Sequence, residues 1–302
     1  MNTKIDISKG RYWDKAWSLV SSCTRCSEGC RNCWALAMEK RFHKGEEGKI
    51  VVHPDRLDIP LRRRKPTVYS IWNDWAHEGI ASDFLDETFE IIEKCPQHTF
   101  LLCTKRATDA VEIMDFIGMS EDSPPLEMDF KNVYFGLTVC NQEEADEKIP
   151  IFLQVPGKKF LSLEPMLGPI DLTAIQHDGM VEINILNGDH GVYRPLQGRS
   201  DKKIDAVILG GETGPGARPM HPDWVRSVRD QCSAADVPFF FKQWGEWTND
   251  IDSSLRCKSF IFNPIGNRLP VQMYRVGRNK AGRLLDGREH NELQWILPEG
   301  LR

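Results

Sequence analysis

Residues 133–163, VYFGLTVCNQEEADEKIPIFLQVPGKKFLSL, contain a whole strand–helix–strand unit. Val133–Val139 is dense in β-branched and aromatic residues, which suit a pleated, packed surface. The acidic stretch Gln142–Lys148 predicts a helix, and Lys159–Leu163 predicts a second strand that stops at Glu164-Pro165. That order in so short a span points to a βαβ crossover and a parallel sheet. Both strands are nearly continuous in apolar residues, as expected where both faces of a sheet are covered.

The pattern repeats on either side. Upstream lie Val68–Trp72 (VYSIW), a helical pattern through Phe84-Leu85, Phe89 and Ile91-Ile92, then Phe100–Cys103 and a helical stretch with Val111, Met114 and Ile117. Downstream, Ala206–Leu209 ends at Gly210-Gly211-Glu212, Trp224–Cys232 is helical, and Pro238–Phe241 ends at Lys242-Gln243-Trp244. Six or more such units predict an α/β fold built as a partial or complete (β/α) barrel. An open doubly wound sheet is the alternative. The barrel is expected over residues 1–247, with an insertion near 176–203 in which Asn187-Gly188-Asp189 predicts a hairpin turn, and Glu121–Pro125 is expected as a loop. Residues 248–302, with short β and turn signals, are expected to form a small appendage packed on the barrel.

At 302 residues the chain can bury a sizeable core, and with 27% charged residues and ordinary Gly and Pro counts it is neither collagen-like, coiled-coil nor wholly disordered. No apolar run approaches the roughly 18 residues of a membrane span. The first residues, MNTKIDISKGRYWDKAW, carry no apolar signal core, so a cytoplasmic protein with reduced thiols and no membrane partner is expected. With 39 Lys and Arg against 44 Asp and Glu, the net charge of −5 argues against a generic duplex-DNA binder. A local basic groove stays open.

Nine cysteines are present, and Cys23, Cys26, Cys30 and Cys33 fall within SSCTRCSEGCRNCW. That clustering points to metal chemistry. Four thiolates can hold one zinc ion, but pairs so close in sequence strain a closed tetrahedral site. Three of them ahead of a helix suit an iron–sulfur cluster. The spacing Cys26-x3-Cys30-x2-Cys33 resembles the signature of radical S-adenosylmethionine (SAM) enzymes, which leave one iron open for the SAM amine and carboxylate. Cys95, Cys103, Cys140, Cys232 and Cys257 are expected in structural roles.

Polar residues recur at the ends of the predicted strands: Asn73 and Asp74, Lys105 and Arg106, Glu164, Glu212, and Lys242. In a barrel these ends form one rim, where active sites are built. Each has a plainer reading beside the functional one. Asp74 or Asn73 could cap a helix, Lys105, Arg106 and Glu164 could form structural ion pairs, and Glu212 could pair with Arg218. GGETGPGAR, residues 210–218, lacks both the Walker and the Rossmann spacing. Trp244 and Trp247 could stack on a base or simply pack in the core. Arg62-Arg63-Arg64-Lys65, the one compact basic run, is either a phosphate contact or a solvated loop.

Over most of residues 15–288 the chain resembles a phage-associated radical SAM family catalogued mainly as a domain of unknown function. The matching segments are GCRNCWA, SIWNDWAHE, LLCTKRA, VYFGLTVCNQEEADEKIP, FLSLEPMLGPIDL, ILGGETGPGARPMHPDWVRSVRDQC, VPFFFKQWGEW and RVGRNKAGRLLDGR. The family's C-x6-C-x2-C spacing selects Cys23, Cys30 and Cys33, with Cys26 competing for the third place.

The resemblance implies a 4Fe-4S cluster, SAM as cofactor and an external electron donor. It implies contacts to SAM or substrate from Asn73, Asp74, Lys105, Arg106, Glu164, Glu212 and Arg218, with Glu212 and Lys242 as catalytic candidates. The phage setting implies a nucleic-acid base, nucleotide or hypermodified appendage as substrate, in DNA, RNA or free form. A non-catalytic, zinc-stabilised nucleic-acid-binding module is the alternative.

Overall fold

The computed structural model describes residues 5–42, 48–117, 131–177, 181–189, 202–250, 257–264 and 269–297. In chain order the strands are β1 (Lys15–Trp17), β2 (Val20–Ser21), β3 (Val51–Val52), β4 (Val68–Ile71), β5 (Thr99–Thr104), β6 (Val133–Thr138) and β7 (Lys158–Leu163). They continue with β8 (Ile175–His177), β9 (Val181–Ile183), β10 (Ala206–Gly210), β11 (Phe239–Gln243), β12 (Trp247–Thr248), β13 (Ser259–Phe262) and β14 (Val271–Arg275). The α-helices are α1 (Trp34–Phe42), α2 (Ser82–Glu93), α3 (Ala107–Ile117), α4 (Gln142–Phe152), α5 (Pro222–Ala234) and the short α6 (Arg278–Ala281).

Seven strands form one parallel sheet in the order β1-β4-β5-β6-β7-β10-β11. The order never reverses, so the chain winds in one direction and the sheet curls into a half-barrel. The doubly wound alternative needs a reversal and is thereby set aside. Side chains alternate across the sheet, as strand geometry requires. Tyr69, Leu102, Phe135, Leu161, Leu209 and Phe241 point outward into a large apolar core with Phe84, Phe89, Met114, Ile149 and Val225 of the helices.

Val68, Leu101, Tyr134, Phe160, Ile208 and Phe240 point to the concave side, where they pack with Tyr12, Leu293 and Ile296. Residues 283–297 therefore belong to the barrel. Asn291 bridges to Phe240, the Phe241 amide donates to the His290 carbonyl at 3.1 Å, and Trp295 packs on Tyr134 and Phe160. The expected appendage is thus in two parts: a three-stranded antiparallel sheet, β12-β14-β13, and a tail that fills the concave bottom.

Local rules explain the helix starts. Asn141 Oδ1 accepts from the Glu144 amide at 2.9 Å, and Glu143 and Glu144 sit at the positive end of α4. α4 runs past the expected end at Lys148 and through Pro150, because Ile149 and Phe152 are buried in the core and outweigh the lost backbone bond. Within the insertion, Asn184 and Asp189 bridge across a turn containing Gly188 at φ +79°. Residues 190–201 of the insertion and the loop Glu121–Pro125 lie outside the described residues. Among the described residues no helix is long and apolar enough to cross a membrane.

Candidate functional site

A cavity of about 530 Å³ opens at the C-terminal ends of the sheet strands. Its floor includes Ser70, Cys103 and Thr138 on the concave side, and Cys103 Sγ lies 3.3 Å from Thr138 Oγ1. One wall is the cysteine loop: Cys23, Cys26, Cys30 and Cys33 all line the cavity, with Asn32 and Trp34. Trp34 meets Trp72 edge-on at 5.2 Å, and both rings line the cavity. A second part of the lining is the segment Lys9–Trp13 with Lys242, Gln243 and Arg278.

The cysteine loop is braced from three directions. Ser27 caps the turn Glu28–Cys30 by accepting from the Gly29 amide at 3.0 Å. Arg106, expected to face a ligand, instead points its guanidinium at Thr24, donating to the carbonyl at 3.3 Å and to the hydroxyl. Glu212 and Arg218 hold the far end. Arg218 Nε and Nη2 donate to the two Glu212 oxygens at 2.8 and 2.6 Å, and the same guanidinium reaches the Glu28 carboxylate and, at 3.1 Å, its carbonyl. Asn32 donates to Glu212 at 3.0 Å and to the Gly216 carbonyl at 2.8 Å.

These contacts set the electrostatics of the wall. Burial and the Asp74 charge push the Cys23 thiol up to about 11, with Arg106 opposing. The hydrogen bond between Cys26 and Cys30 raises the Cys26 thiol and lowers that of Cys30. Cys140 is buried under the loop at Gly29 and pushed up to about 12 by burial. Burial also raises Glu212, but its hydrogen bonds from Arg218 and Asn32 win and hold it low.

Asp74 is buried and accepts from the Thr104 hydroxyl and, at 3.2 Å each, from the Ala76 and Lys105 amides. It ties the end of β4 to the end of β5 and does not cap α2, whose N-cap is Ala81. Asn73, at φ +63°, donates to the Val20 carbonyl at 2.6 Å. Lys105 lines the cavity, and its ammonium makes no hydrogen bond or ion pair among the described residues. Burial disfavours its charge, yet nearby Cys140, Cys103, Cys30 and Asp74 outweigh that and raise its pKa. Glu164 pairs with Lys242 Nζ at 2.6 Å inside the cavity.

Several expected residues lie elsewhere. Trp244 and Trp247 are buried, with their indole N–H groups bonded to the Leu284 and Ala217 carbonyls at 2.8 Å, so neither can stack on a base. Arg62–Lys65 precedes β4 at the opposite end of the sheet, where Arg62 pairs with Asp58. Sequence reasoning missed the whole Lys9–Trp13 wall, Asn32 and Arg278. A segment ahead of the first strand, with no periodicity, carried no signal of its position.

The model of a family described as a protein of unknown function (DUF5131) matches residues 7–294. The chain belongs to this family. The match runs from the segment ahead of β1 to the tail that fills the concave bottom, so it covers both walls of the cavity. Neither the comparison with curated proteins nor that with solved structures found a match.

The donor set can be weighed against an iron–sulfur group. Among the described residues no three His, Cys, Asp or Glu side chains converge as a ready-made site for one metal ion. A zinc site needs its thiolates about 2.3 Å from one point. Here four thiols are spread along one wall beside Lys105, with Cys26 and Cys30 in hydrogen-bond contact. Thiols gathered on one loop, near a cation that favours thiolate, are the donor type that iron–sulfur groups take.

Proposed function

We propose that this DUF5131 protein is a radical SAM enzyme that binds a 4Fe-4S cluster on the cysteine loop and acts on a nucleic-acid base, a nucleotide or its modified appendage. The observation that carries the reading is the lining of four thiols, Cys23, Cys26, Cys30 and Cys33, in a cavity at the C-terminal rim of a parallel half-barrel. Cys30 and Cys33 are ligands under either spacing, and Cys23 or Cys26 supplies the third. Held by these thiols, such a cluster would supply the one-electron reduction of SAM on which radical hydrogen abstraction from the substrate depends.

The chain's own groups have separate tasks in this proposal. Lys105, whose ammonium makes no hydrogen bond or ion pair among the described residues, receives the SAM carboxylate. Asp74 has roughly four lone-pair sites and three donors in the chain, so it can accept from the SAM amine while fixing the β4 and β5 ends. Asn73 shapes the adjoining turn. Of the two residues expected to be catalytic, Lys242 faces the substrate space, where its ion pair with Glu164 holds the ammonium in place. Glu212, with Arg218 and Arg106, positions the cysteine loop. Trp34 and Trp72 shield the space from water. The electron donor is a separate reductant in the cytoplasm, and the phage association belongs to the same proposal.

Anaerobic reconstitution with iron and sulfide, then reductant and SAM, tests the reading by 5′-deoxyadenosine formation. Formation that depends on Cys30 and Cys33 supports it. A chain that holds one zinc ion and no iron overturns it in favour of the zinc-stabilised binding module.

A further inference from the structure

The Lys9–Trp13 segment, which lines the same cavity as the cysteines, carries a second set of observations. Gly10 has φ +64°, and a Cβ there would sit 2.4 Å from the Lys242 carbonyl oxygen. The segment Lys9–Trp13 is therefore pressed against the end of β11, closing the side of the half-barrel that its two edge strands leave open. Lys242 Nζ lies 5.6 Å from both the Tyr12 and Trp13 ring centres, and Arg278 Nε donates to Gln243.

The cavity's carboxylates are all engaged: Asp74 with Thr104 and backbone amides, Glu164 with Lys242, Glu212 with Arg218 and Asn32. Of its cations, Lys9 pairs with Asp6 and Lys242 with Glu164, but two arginines keep free guanidinium nitrogens. Arg11 makes no hydrogen bond or ion pair among the described residues, and the terminal nitrogens of Arg278 likewise have no partner there. Both side chains are exposed and line the cavity. A chain of net charge −5 thus presents a cationic, aromatic wall at one place, which concentrates anions there. Guanidinium forks match phosphate oxygens.

We propose that Arg11 and Arg278 grip the phosphate of the substrate nucleotide, free or within a single strand, with its base against Trp13 and directed at the thiol wall. This rests on the nucleotide or nucleic-acid substrate proposed above and adds which residues recognise it.

The test uses the full chain as purified and a fluorescently labelled single-stranded DNA oligonucleotide, titrated across a range of salt concentrations. The double variant Arg11→Gln/Arg278→Gln is expected to bind at least tenfold more weakly. Its plot of log affinity against log salt is expected to be shallower by about 0.7, the value for the one phosphate that the two arginines share. Arg62→Gln/Arg64→Gln, at the far end of the sheet, should bind like the parent. Competition by a nucleoside monophosphate but not by the nucleoside supports the wall acting on a single nucleotide, and competition by oligonucleotide alone supports its acting on a strand. A parent that binds neither, or a double variant that binds like the parent, overturns the proposal. Iron content and SAM cleavage of the same samples separate the two ideas. Cleavage without nucleotide binding sinks the wall alone, and nucleotide binding through Arg11 and Arg278 without iron sinks the radical reading alone.

Discussion

Arg218 grips Glu212 through two nitrogens at 2.8 and 2.6 Å and, with the same guanidinium, holds Glu28 of the cysteine loop. Glu212 follows β10 and Glu28 lies 190 residues away from Arg218, between Cys26 and Cys30. One side chain thus fastens the glycine-rich loop to the loop that presents the thiols. Replacing Arg218 by Met leaves the buried Glu212 carboxylate without its main partner and should cost about 2–4 kcal/mol. Alkylation of the cysteines by iodoacetamide should speed up several-fold. The double variant Glu212→Gln/Arg218→Met should recover part of the stability, and chemical denaturation measures both.

The Lys242–Glu164 pair sits inside the cavity, and among the described residues no hydrogen bond or ion pair joins it to the cysteine loop. Lys242→Met should leave iron binding unchanged while reducing turnover of SAM with substrate by more than tenfold. Iron assay and chromatography of 5′-deoxyadenosine report the two quantities separately. Loss of iron in this variant would contradict the division of labour between the walls.

Two glycines of one loop should respond differently to alanine. A Cβ at Gly211 would lie 2.0 Å from the Trp244 carbonyl oxygen, and backbone cannot step aside cheaply. Gly211→Ala should destabilise by about 3 kcal/mol or more. Gly214, at φ +98° with open space around it, should lose only about 1 kcal/mol, from backbone strain. Melting temperatures of the two variants give the order directly.

Asp286 anchors the tail to α5 through Arg226 and Arg229. The hydrogen bond from Arg226 is the main cause that lowers its carboxyl to about 2, with burial opposing and Arg229 assisting. A carboxylate held below its ordinary value stabilises the fold above that value, and the contribution is lost as pH falls from near 4 through about 2. Asp286→Asn should therefore be less stable than the parent at pH 6 and approach it near pH 2. Urea midpoints measured across that range test the sign.

The sheet was legible because its strands are buried on both faces and so stand out as apolar runs: VYFGLTV, FLLC and AVIL needed no partner to be recognised. The edge strand β1 was not, since Lys15-Ala16-Trp17 is short and its pairing depends on Asp14 accepting from the Val68 amide. At the site, the cysteines and the strand-end polar residues were legible as a set. Their individual roles were not, because Arg106 and Arg218 turn to the cysteine loop through contacts 82 and 190 residues apart. For Trp244 and Trp247 the sequence left stacking and core packing open, and the carbonyl partners of their indole nitrogens decide for the core. The Lys9–Trp13 wall was invisible for the same reason: only the closed fold brings it to β11.

The central claim is that the thiol wall holds an iron–sulfur cluster. Its most direct test is iron and acid-labile sulfide per chain after anaerobic reconstitution, in the parent and in Cys23→Ser, Cys26→Ser, Cys30→Ser and Cys33→Ser. The account predicts about four irons and matching sulfide in the parent, lost in Cys30→Ser and Cys33→Ser and in one alone of Cys23→Ser and Cys26→Ser. A parent with one tightly held zinc and no iron, or iron indifferent to Cys30 and Cys33, would contradict it.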